Sequence, residues 1–247
     1  MTEFPHDQIK PFSTTEGKKE QVSDMFNEIA SRYDFMNRFL SAGIDVTWRK
    51  KAINQFKGQT INSLLDVATG TADMAIMAAR MLHPDKITGI DISDKMLEVG
   101  RKKIENQHLN SKIELFSGDA ETINFPDGTF DGVMVAFGVR NFENLEKGLK
   151  EIFRVMKPGG LFVVLEFSKP RIPGIRNLYN LYMRYICPFL ARLFRQNTRA
   201  YQYLNESAQA FPDRQLFVDI LNNTGFSDTK CKQLSLGICC IYTGRKR

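Results

Sequence analysis

The sequence predicts an α/β protein whose mostly parallel sheet is covered by helices on both faces. Short apolar runs alternate with helix-length amphipathic segments between residues 64 and 167, which is the pattern of repeated strand–helix–strand units. The 247 residues are 43% hydrophobic and 25% charged, and this length fits one elaborated α/β domain. The best apolar run, at residues 161–165, ends at Glu166 and falls far short of the ~20 residues of a membrane-spanning helix. An integral membrane protein is therefore not expected.

The residues before the sheet are predicted to be helical. Residues 1–20 are polar, and we expect them to be mobile. Apolar residues then recur at spacings of three and four between residues 22 and 40, which indicates a helix. Gly43 interrupts this pattern, and residues 48–56 are typical of a second short helix. Residues 21–56 are thus expected to form helices that precede the first strand in the sequence.

The sheet elements follow in regular order. Ser93 is a candidate N-cap for one of the helices, and Asp213 is a candidate N-cap for a helix that extends through Leu221. The run of residues 157–160, KPGG, is expected to end the helix before the fifth strand. Residues 169–210 are predicted to form a helical insertion, so that residues 21–247 make one domain. The seven predicted strands are residues 64–68, 87–91, 112–116, 130–137, 161–167, 229–234 and 238–242, and the helices between the first five end near residues 82, 107 and 156.

The cysteines, the histidines and the net charge indicate which metal sites, cellular compartment and partners to expect. The four cysteines form no C-x-x-C pair and the three histidines are scattered, so no metal site is expected. We expect free thiols in a reducing cytoplasm, since the first seven residues contain no apolar signal-peptide core. The net charge of +6 permits an anionic partner, such as a membrane surface or a nucleic acid, without requiring one.

Polar residues at the ends of three predicted strands indicate a ligand site. The loop of residues 66–73 consists of small residues before a helix N-terminus, whose unpaired N–H groups can face a ligand. Gly70 is its only glycine, so an ordinary strand–helix turn is the alternative. Asp91 ends the second strand, where a carboxylate can accept hydrogen bonds from ribose hydroxyls, unless it is merely an acid near a helix start. Asp119 follows the third strand and could accept from an adenine amino group.

The order of these residues resembles the motifs of class I S-adenosylmethionine-dependent methyltransferases. More specifically, residues 26–37, FNEIASRYDFMN, resemble the N-terminal signature of the quinone C-methyltransferases, the family that makes menaquinone and ubiquinone. Residues 137–141, FGVRN, residues 165–170, LEFSKP, and the ending around Gly237 are similar to the same family. The resemblance covers residues 22–244. It implies a doubly wound, mostly parallel seven-stranded sheet with N-terminal helices and a helical lid.

The resemblance also implies a cofactor and its contacts. S-adenosylmethionine would be the methyl donor and S-adenosylhomocysteine the product. Two departures from the family pattern concern this site. Ala68 and Ala72 stand in a loop that is usually rich in glycine and should narrow the space beside the methionine moiety, and Ala136 stands where many relatives have a cofactor-contacting serine. The implied cofactor contacts are Thr71, Asp91, Asp119 and Ala120, together with Asp66 and Gly70 of the first loop.

The implied reaction is C-methylation of a prenylated quinol. The sulfonium methyl carbon is electrophilic, and an aromatic ring carbon becomes a good nucleophile only after an adjacent hydroxyl loses its proton, so the substrate should be a quinol rather than a quinone. The family motif implies that Arg140 and Asn141 serve this quinol. Because arginine stays charged, we assign Arg140 to stabilising the oxyanion and polarising a water that takes the proton, and Asn141 to orienting that water or the hydroxyl. Tyr33 could add a hydrogen bond from a lid helix. The alternatives are a packed aromatic for Tyr33 and a surface salt bridge for Arg140.

The segment of residues 175–195 mixes aromatic and apolar side chains with arginines. This mixture suits a polyprenyl groove and an anionic bilayer surface, and the alternative is a lid helix packed on the core. We therefore expect a cytoplasmic protein that associates transiently with the inner face of the membrane and does not bind nucleic acid. A homodimer is compatible with the sequence. The arginines in and next to this segment are Arg176, Arg184, Arg192, Arg195 and Arg199.

The expected substrate is 2-demethylmenaquinol, because the chain is compact and has no targeting extension. A 2-polyprenyl-6-methoxy-1,4-benzoquinol is the alternative substrate. A non-catalytic cofactor-binding scaffold is the alternative of another class, and the intact Arg140-Asn141 pair argues against it. A nicotinamide-dependent dehydrogenase would carry the glycine fingerprint, and an amino-methylating nucleic-acid enzyme a Pro-Pro-aromatic motif after the fourth strand. The sequence has neither at those places.

Overall fold

A seven-stranded sheet forms the centre of the computed structural model, which describes residues 4–186 and 198–247. The strands are β1 (Ser63–Val67), β2 (Lys86–Asp91), β3 (Ile113–Ser117), β4 (Phe130–Ala136), β5 (Met156–Phe167), β6 (Ser227–Leu234) and β7 (Cys239–Arg245). Their order across the sheet is β3-β2-β1-β4-β5-β7-β6, and the first five are parallel. β7 runs antiparallel to both of its neighbours. The predicted doubly wound, mostly parallel seven-stranded sheet is confirmed.

Nine α-helices surround this sheet in the part of the chain that the structure describes. They are α1 (Lys18–Ile29), α2 (Tyr33–Leu40), α3 (Ile44–Ile53), α4 (Asp73–Leu82), α5 (Asp94–Asn106), α6 (Leu145–Val155), α7 (Pro173–Leu181), α8 (Thr198–Ala210) and α9 (Gln215–Thr224). A π-helical turn, Tyr182–Ile186, continues α7. The stretch of residues 187–197, including Arg192 and Arg195, lies outside the described residues.

The two faces of the sheet carry separate apolar cores. Leu64 packs with residues of α3 and α4, whereas the adjacent Leu65 packs with residues of α6 and α9. Successive side chains of a strand point to opposite faces, so a strand in the middle of the sheet must be apolar on both. This explains why the adjacent residues Leu64 and Leu65 are both apolar and buried, without the alternation of a half-exposed strand.

The register brings the carboxyl ends of the central strands to one edge. Val67 lies opposite Ile90 in β2 and opposite Val135 in β4, and Asp91 lies opposite Ser117 in β3. The loops that follow β1, β2, β3 and β4 therefore meet at this edge. It is the edge at which open α/β sheets bind ligands.

Three predicted elements differ in the structure. The helix predicted through residue 156 ends at Val155, and residues 157–160 lie inside β5 rather than before it. They are accommodated by a register shift, since Phe130 pairs with Met156 while Gly132 pairs with Leu161. The second N-terminal helix covers Ile44–Ile53 rather than residues 48–56, because Gly43 adopts a left-handed conformation with φ of 75° and the helix starts directly after it.

Of the two predicted N-cap residues, the structure confirms one and contradicts the other. Ser93 accepts a hydrogen bond from the backbone N–H of Met96, so its N-cap role is confirmed. The prediction for Asp213 is wrong. Its carboxylate instead accepts from the Ser168 hydroxyl at 2.7 Å and the Lys169 backbone N–H at 2.9 Å, and Arg214 occupies the cap position with φ of 59°.

The N-terminal residues pack on the domain. A short 3₁₀ turn, Pro5–Gln8, precedes α1, and the side chains of His6 and Lys18 are buried. The helix begins at Lys18, so the boundary predicted after residue 20 falls inside it. The mobility of residues 1–20 and the division into segments stay predictions. Among the described helices, none combines the length and apolarity needed to cross a bilayer.

Candidate active site

Two cavities adjoin the carboxyl edge of the sheet. The first, here called the strand-tip cleft, is lined by Gly70, Asp91 and Asp119 among others. The second, here called the inner cavity, lies among α1, α2, α3, α7 and α8. Three aromatic residues line both cavities, namely Phe26, Tyr33 and Phe137. A group held in one cavity therefore lies next to a group held in the other.

Asp91 forms the acidic end of the strand-tip cleft. Its carboxylate accepts hydrogen bonds from the backbone N–H groups of Gly70 at 2.8 Å and Ser93 at 2.9 Å. Burial raises the pKa of Asp91, and the backbone N–H groups oppose this shift because they stabilise the charged form. The Asp91 carboxylate thus links the loop after β1 to the loop after β2. Its contact with ribose hydroxyls stays a prediction.

Asp119 and Ala120 lie on the third side of the cleft. Lys19 of α1 places its ammonium 2.6 Å from the Asp119 carboxylate, and the backbone N–H of Glu121 donates to the same side chain at 2.9 Å. Lys19 and Glu121 also line the cleft. Sequence reasoning missed both residues. A lysine and an acid 102 positions apart carry no local pattern that would connect them.

Asp66 and Thr71 lie in the loop but are not among the residues that line the strand-tip cleft. The Thr71 hydroxyl donates to Asp34 at 2.6 Å, and Asp66 accepts from the Thr69 hydroxyl at 2.7 Å. Burial raises the pKa of Asp66 to about 7. Their hydrogen bonds hold the loop against α2 and β1, so direct cofactor contacts for these two residues stay predictions.

Close backbone packing shapes the floor of the cleft. Ala68 and Ala72 both adopt positive φ angles, 54° and 63°, which are costly for any residue with a Cβ atom. A Cβ atom on Gly138 would lie only 2.7 Å from the Cβ of Ala68, so a glycine is required there. Ala68 and Ala136 line the cleft, whereas Ala72 is buried outside it. The effect of these alanines on the cofactor stays a prediction.

Arg140 is buried at the wall of the inner cavity. Only 4% of the residue is exposed, and its Nη1 atom donates to Glu166 Oε1 at 2.9 Å and to the Phe137 carbonyl at 2.6 Å. The surface salt bridge considered as an alternative is therefore wrong. Burial raises the pKa of Glu166, and the positive charge of Arg140 opposes this shift.

Glu166 is a further residue of the candidate active site that the sequence analysis did not single out. It is fully buried in β5, and it also accepts the backbone N–H of Phe167 at 2.9 Å. A signal was available, since a lone acid inside an apolar strand must be paired. The identity of its partner became visible only in three dimensions.

Asn141 and Tyr33 lie close to the boundary between the cavities, and Tyr33 lines both of them. Asn141 lines the strand-tip cleft, and its Oδ1 atom accepts from the Tyr203 hydroxyl at 3.2 Å. Burial raises the pKa of Tyr203, so that hydroxyl remains a donor at neutral pH. Tyr33 begins α2 and packs edge-on against Phe26. The structure thus places the three predicted catalytic residues around one junction, with Arg140 on the inner side.

The strand-tip cleft fits the cofactor that the sequence implies. A buried carboxylate at the tip of β2 matches vicinal ribose hydroxyls, and Gly70 leaves open space where a Cβ atom would point. The described residues contain no group of three His, Cys, Asp or Glu side chains placed to hold a metal ion. Of the four cysteines, Cys231, Cys239 and Cys240 are described, and all three are free.

Strand order, the single antiparallel strand β7 and the cleft at the strand tips define a class I S-adenosylmethionine-dependent methyltransferase. The fold is similar to that of a SAM-dependent methyltransferase from Thermotoga maritima, with a TM-score of 0.64 at 16% identity over 92% of this chain and 100% of that one. The model of the ubiE/COQ5 methyltransferase family matches residues 14–246. The chain belongs to this family, and S-adenosylmethionine is its methyl donor, as the sequence resemblance implied.

Curated relatives match over almost the whole chain. It is 41% identical to the demethylmenaquinone methyltransferase of Bacteroides fragilis, over 98% of this chain and 99% of the relative. It is 42% identical to the ubiquinone/menaquinone biosynthesis C-methyltransferase UbiE of Geotalea daltonii, over 95% of this chain and all of the relative. The predicted family and enzyme class are confirmed.

Proposed function

We propose that this enzyme methylates a ring carbon of a prenylated quinol, and that 2-demethylmenaquinol is converted to menaquinol. The observation that carries the proposal is the junction of the two cavities at Phe26, Tyr33 and Phe137. A nucleoside cofactor in the strand-tip cleft and an aromatic ring in the inner cavity would meet there. Such a junction provides the orientation that methyl transfer between two bound molecules requires.

The residues around the junction have different proposed roles in binding and in methyl transfer. S-adenosylmethionine, when bound, supplies an electrophilic methyl group. Asp91 would hold the ribose, while Arg140 faces the quinol and stabilises the negative charge that develops on its oxygen. Glu166 keeps Arg140 in place, since its carboxylate accepts from Nη1. The Nε atom of Arg140 has no hydrogen-bond partner in the described part of the chain. Asn141, oriented by Tyr203, would position the hydroxyl or the water that takes its proton.

The naphthoquinol is favoured over the benzoquinol by the names of the relatives. The Bacteroides fragilis relative is named for demethylmenaquinone alone, whereas the name of the Geotalea daltonii relative covers both pathways. A 2-polyprenyl-6-methoxy-1,4-benzoquinol therefore remains the second candidate substrate. Comparing the two quinols at equal chain length, by kcat/KM, separates them.

The prenyl tail would leave the inner cavity between α2 and α7. The Tyr182 hydroxyl donates to the Leu40 carbonyl at 2.6 Å and joins the π-helical turn after α7 to the end of α2 at the cavity wall. The outer sides of the same elements are unusually apolar, which suits transient contact with a lipid surface. Cytoplasmic location with this peripheral association is part of the proposal, and dimerisation and the absence of nucleic-acid binding stay predictions. The exposed apolar side chains in this region include Phe35 and Phe39 on α2, Ile44 on α3, Leu178 and Leu181 on α7, and Tyr185 and Ile186 in the π-helical turn.

The proposal is tested by assaying methyl transfer to the prenylated quinol under reductant and under oxidant. The quinol should be methylated and the quinone should be inert, because a quinone ring is electrophilic. Equal rates in the two states would contradict the mechanism. Cofactor binding without turnover of either quinol would favour the non-catalytic scaffold instead.

A further inference from the structure

Two buried N–H groups, on arginines that line the inner cavity, have no hydrogen-bond partner among the described residues. They are Nε of Arg140 and Nε of Arg49, and both residues line this cavity. Arg49 is only 7% exposed and belongs to α3. A buried donor left unpaired is costly, so such atoms are rare unless a ligand or an ordered water satisfies them. Arg140 already has a place in the proposed reaction, whereas Arg49 has none.

The neighbours of Arg49 hold it without satisfying Nε. The Asp45 carboxylate lies 3.6 Å from Nε, which is an ion pair beyond hydrogen-bond length. Both oxygens of that carboxylate are already engaged, one by the Ser41 hydroxyl at 2.8 Å and the other by Arg38. Asp45 thus balances the charge of Arg49 and leaves its N–H free for another acceptor.

The two arginines border the same pair of aromatic rings. The Arg49 guanidinium lies 5.3 Å from the ring centre of Phe137, and that of Arg140 lies 5.5 Å from the ring centre of Phe167. The two rings are 4.6 Å apart, and both line the inner cavity. A flat aromatic ligand resting near this pair would therefore have a guanidinium within reach at each of two places.

We infer that Arg49 donates a hydrogen bond to the second ring oxygen of the substrate, while Arg140 serves the oxygen beside the reacting carbon. This inference rests on the proposed function, because a 1,4-quinol carries one oxygen at each end of its ring. The second oxygen keeps its proton during methylation of the carbon next to the first. Arg49 therefore acts equally on the bound substrate and the transition state, and its loss should raise KM more than it lowers kcat.

The test compares two prenylated probes that differ by one oxygen, a 1,4-dihydroxynaphthalene and the corresponding 1-naphthol. Dissociation constants are measured under reductant in the presence of S-adenosylhomocysteine. Arg49→Gln should weaken binding of the dihydroxy probe about tenfold to a hundredfold, as expected for a hydrogen bond from a charged donor. Binding of the naphthol should change by less than about threefold.

Arg38→Gln is the matched control, because Arg38 contacts the same Asp45 but is not among the residues that line the inner cavity. It should affect the two probes equally. An equal loss for both probes in Arg49→Gln, with unchanged S-adenosylhomocysteine affinity as proof of folding, would show that Arg49 only neutralises its acidic neighbours and would overturn the inference. If the wild type neither binds nor methylates the dihydroxy probe, the proposed function itself fails.

Discussion

The Nζ atom of Lys18 donates a hydrogen bond to the backbone carbonyl of Arg140 at 3.1 Å. The same ammonium donates to the carbonyls of Phe142 at 2.9 Å and His6 at 2.7 Å, so all three of its N–H groups are used inside the protein. Lys18 is 1% exposed. Burial lowers its pKa to about 8, which leaves the ammonium charged at neutral pH. The first helix thus fixes the backbone of the loop that carries Arg140 and Asn141.

Lys18→Met should destabilise the protein and lower kcat. Methionine keeps the length of the side chain but leaves three carbonyl groups without their donor, which should cost about 2–4 kcal/mol of unfolding free energy. Urea unfolding measures this cost, and steady-state kinetics measures the displacement of the loop. Lys10→Met is the control, because the exposed Lys10 donates to the Glu16 carbonyl at the surface of the protein. Equal unfolding midpoints for the two variants would contradict the role given to Lys18.

His6 should make the fold sensitive to mild acid. Burial lowers the pKa of His6 to about 3, and the Asp7 carboxylate 3.4 Å away forms no hydrogen bond with either ring nitrogen. The unfolded chain binds a proton near pH 6.5. Stability from neutral His6 is therefore complete above pH 6.5 and is lost as the pH falls towards 3. The loss at pH 5 amounts to about 2 kcal/mol.

His6→Phe removes this titration while keeping an aromatic ring between Phe4 and Phe211. Urea unfolding at pH 7 and pH 5 should show that the wild type loses about 2 kcal/mol more than the variant. An identical loss in both proteins would mean that His6 is protonated in the folded state or that the N-terminal turn is not bound in solution.

Arg140→Ala should impair both stability and chemistry, and a second substitution separates the two effects. Removing the arginine leaves the Glu166 carboxylate buried without its cation, at a cost of about 3 kcal/mol. Arg140→Ala combined with Glu166→Gln should recover most of that stability. The value of kcat should stay about a hundredfold below wild type in both variants, as expected when an oxyanion donor is lost. Recovery of kcat in the double variant would show that Arg140 acts only by pairing Glu166.

Asp91→Ala should weaken cofactor binding about a hundredfold, which corresponds to roughly 3 kcal/mol for two hydrogen bonds to a carboxylate. Calorimetric titration with S-adenosylmethionine measures the change. Asp94→Ala is the matched control, because Asp94 is an exposed acid three positions along the chain and does not line the strand-tip cleft. Similar affinities for the two variants would reject the assignment of Asp91 to the ribose.

Phe35→Ser combined with Phe39→Ser should reduce binding to anionic liposomes. The two rings lie 6.0 Å apart on α2 and are 55% and 44% exposed. Liposome binding of the wild type should fall as the salt concentration rises, because arginines such as Arg176 and Arg184 contribute electrostatic attraction to the anionic lipid. Leu216→Ser, at an exposed leucine on α9, is the control for apolar surface elsewhere. No liposome association of the wild type would show that α2 and α7 only cover the inner cavity.

Much of the sheet could be predicted because a buried parallel strand corresponds to a short apolar run in the sequence. β1, β2 and β4 are apolar runs bounded by small or acidic residues, and their ends lie within one or two residues of the predicted ends. The place of Asp91 at the tip of β2 could also be predicted, whereas its contact with the ribose stays a prediction. The start of β5 could not be predicted, because residues 157–160 include helix-breaking residues. A register shift accommodates these residues within the strand.

The contacts that support Arg140 were not readable from the sequence. Lys18 lies 122 positions away, and its three acceptors are backbone carbonyls, which any residue type provides. Phe137 adopts a φ of 59°, a conformation that propensity disfavours for an aromatic residue. Such features follow from packing between distant segments, whereas local patterns report only the element in which a residue lies.

The position of β7 between β5 and β6 has a consequence for the folding of the nascent chain. Among the described residues, β6 pairs with β7 alone, and β7 is the strand that covers the second edge of β5. The helical insertion, α9 and β6 are all synthesised between β5 and β7. The backbone groups along this edge of β5 therefore stay unpaired until β7 has been synthesised and docks. Exposed strand edges pair readily with other chains. Until docking, the edge of β5 is the place at which two incomplete molecules would aggregate.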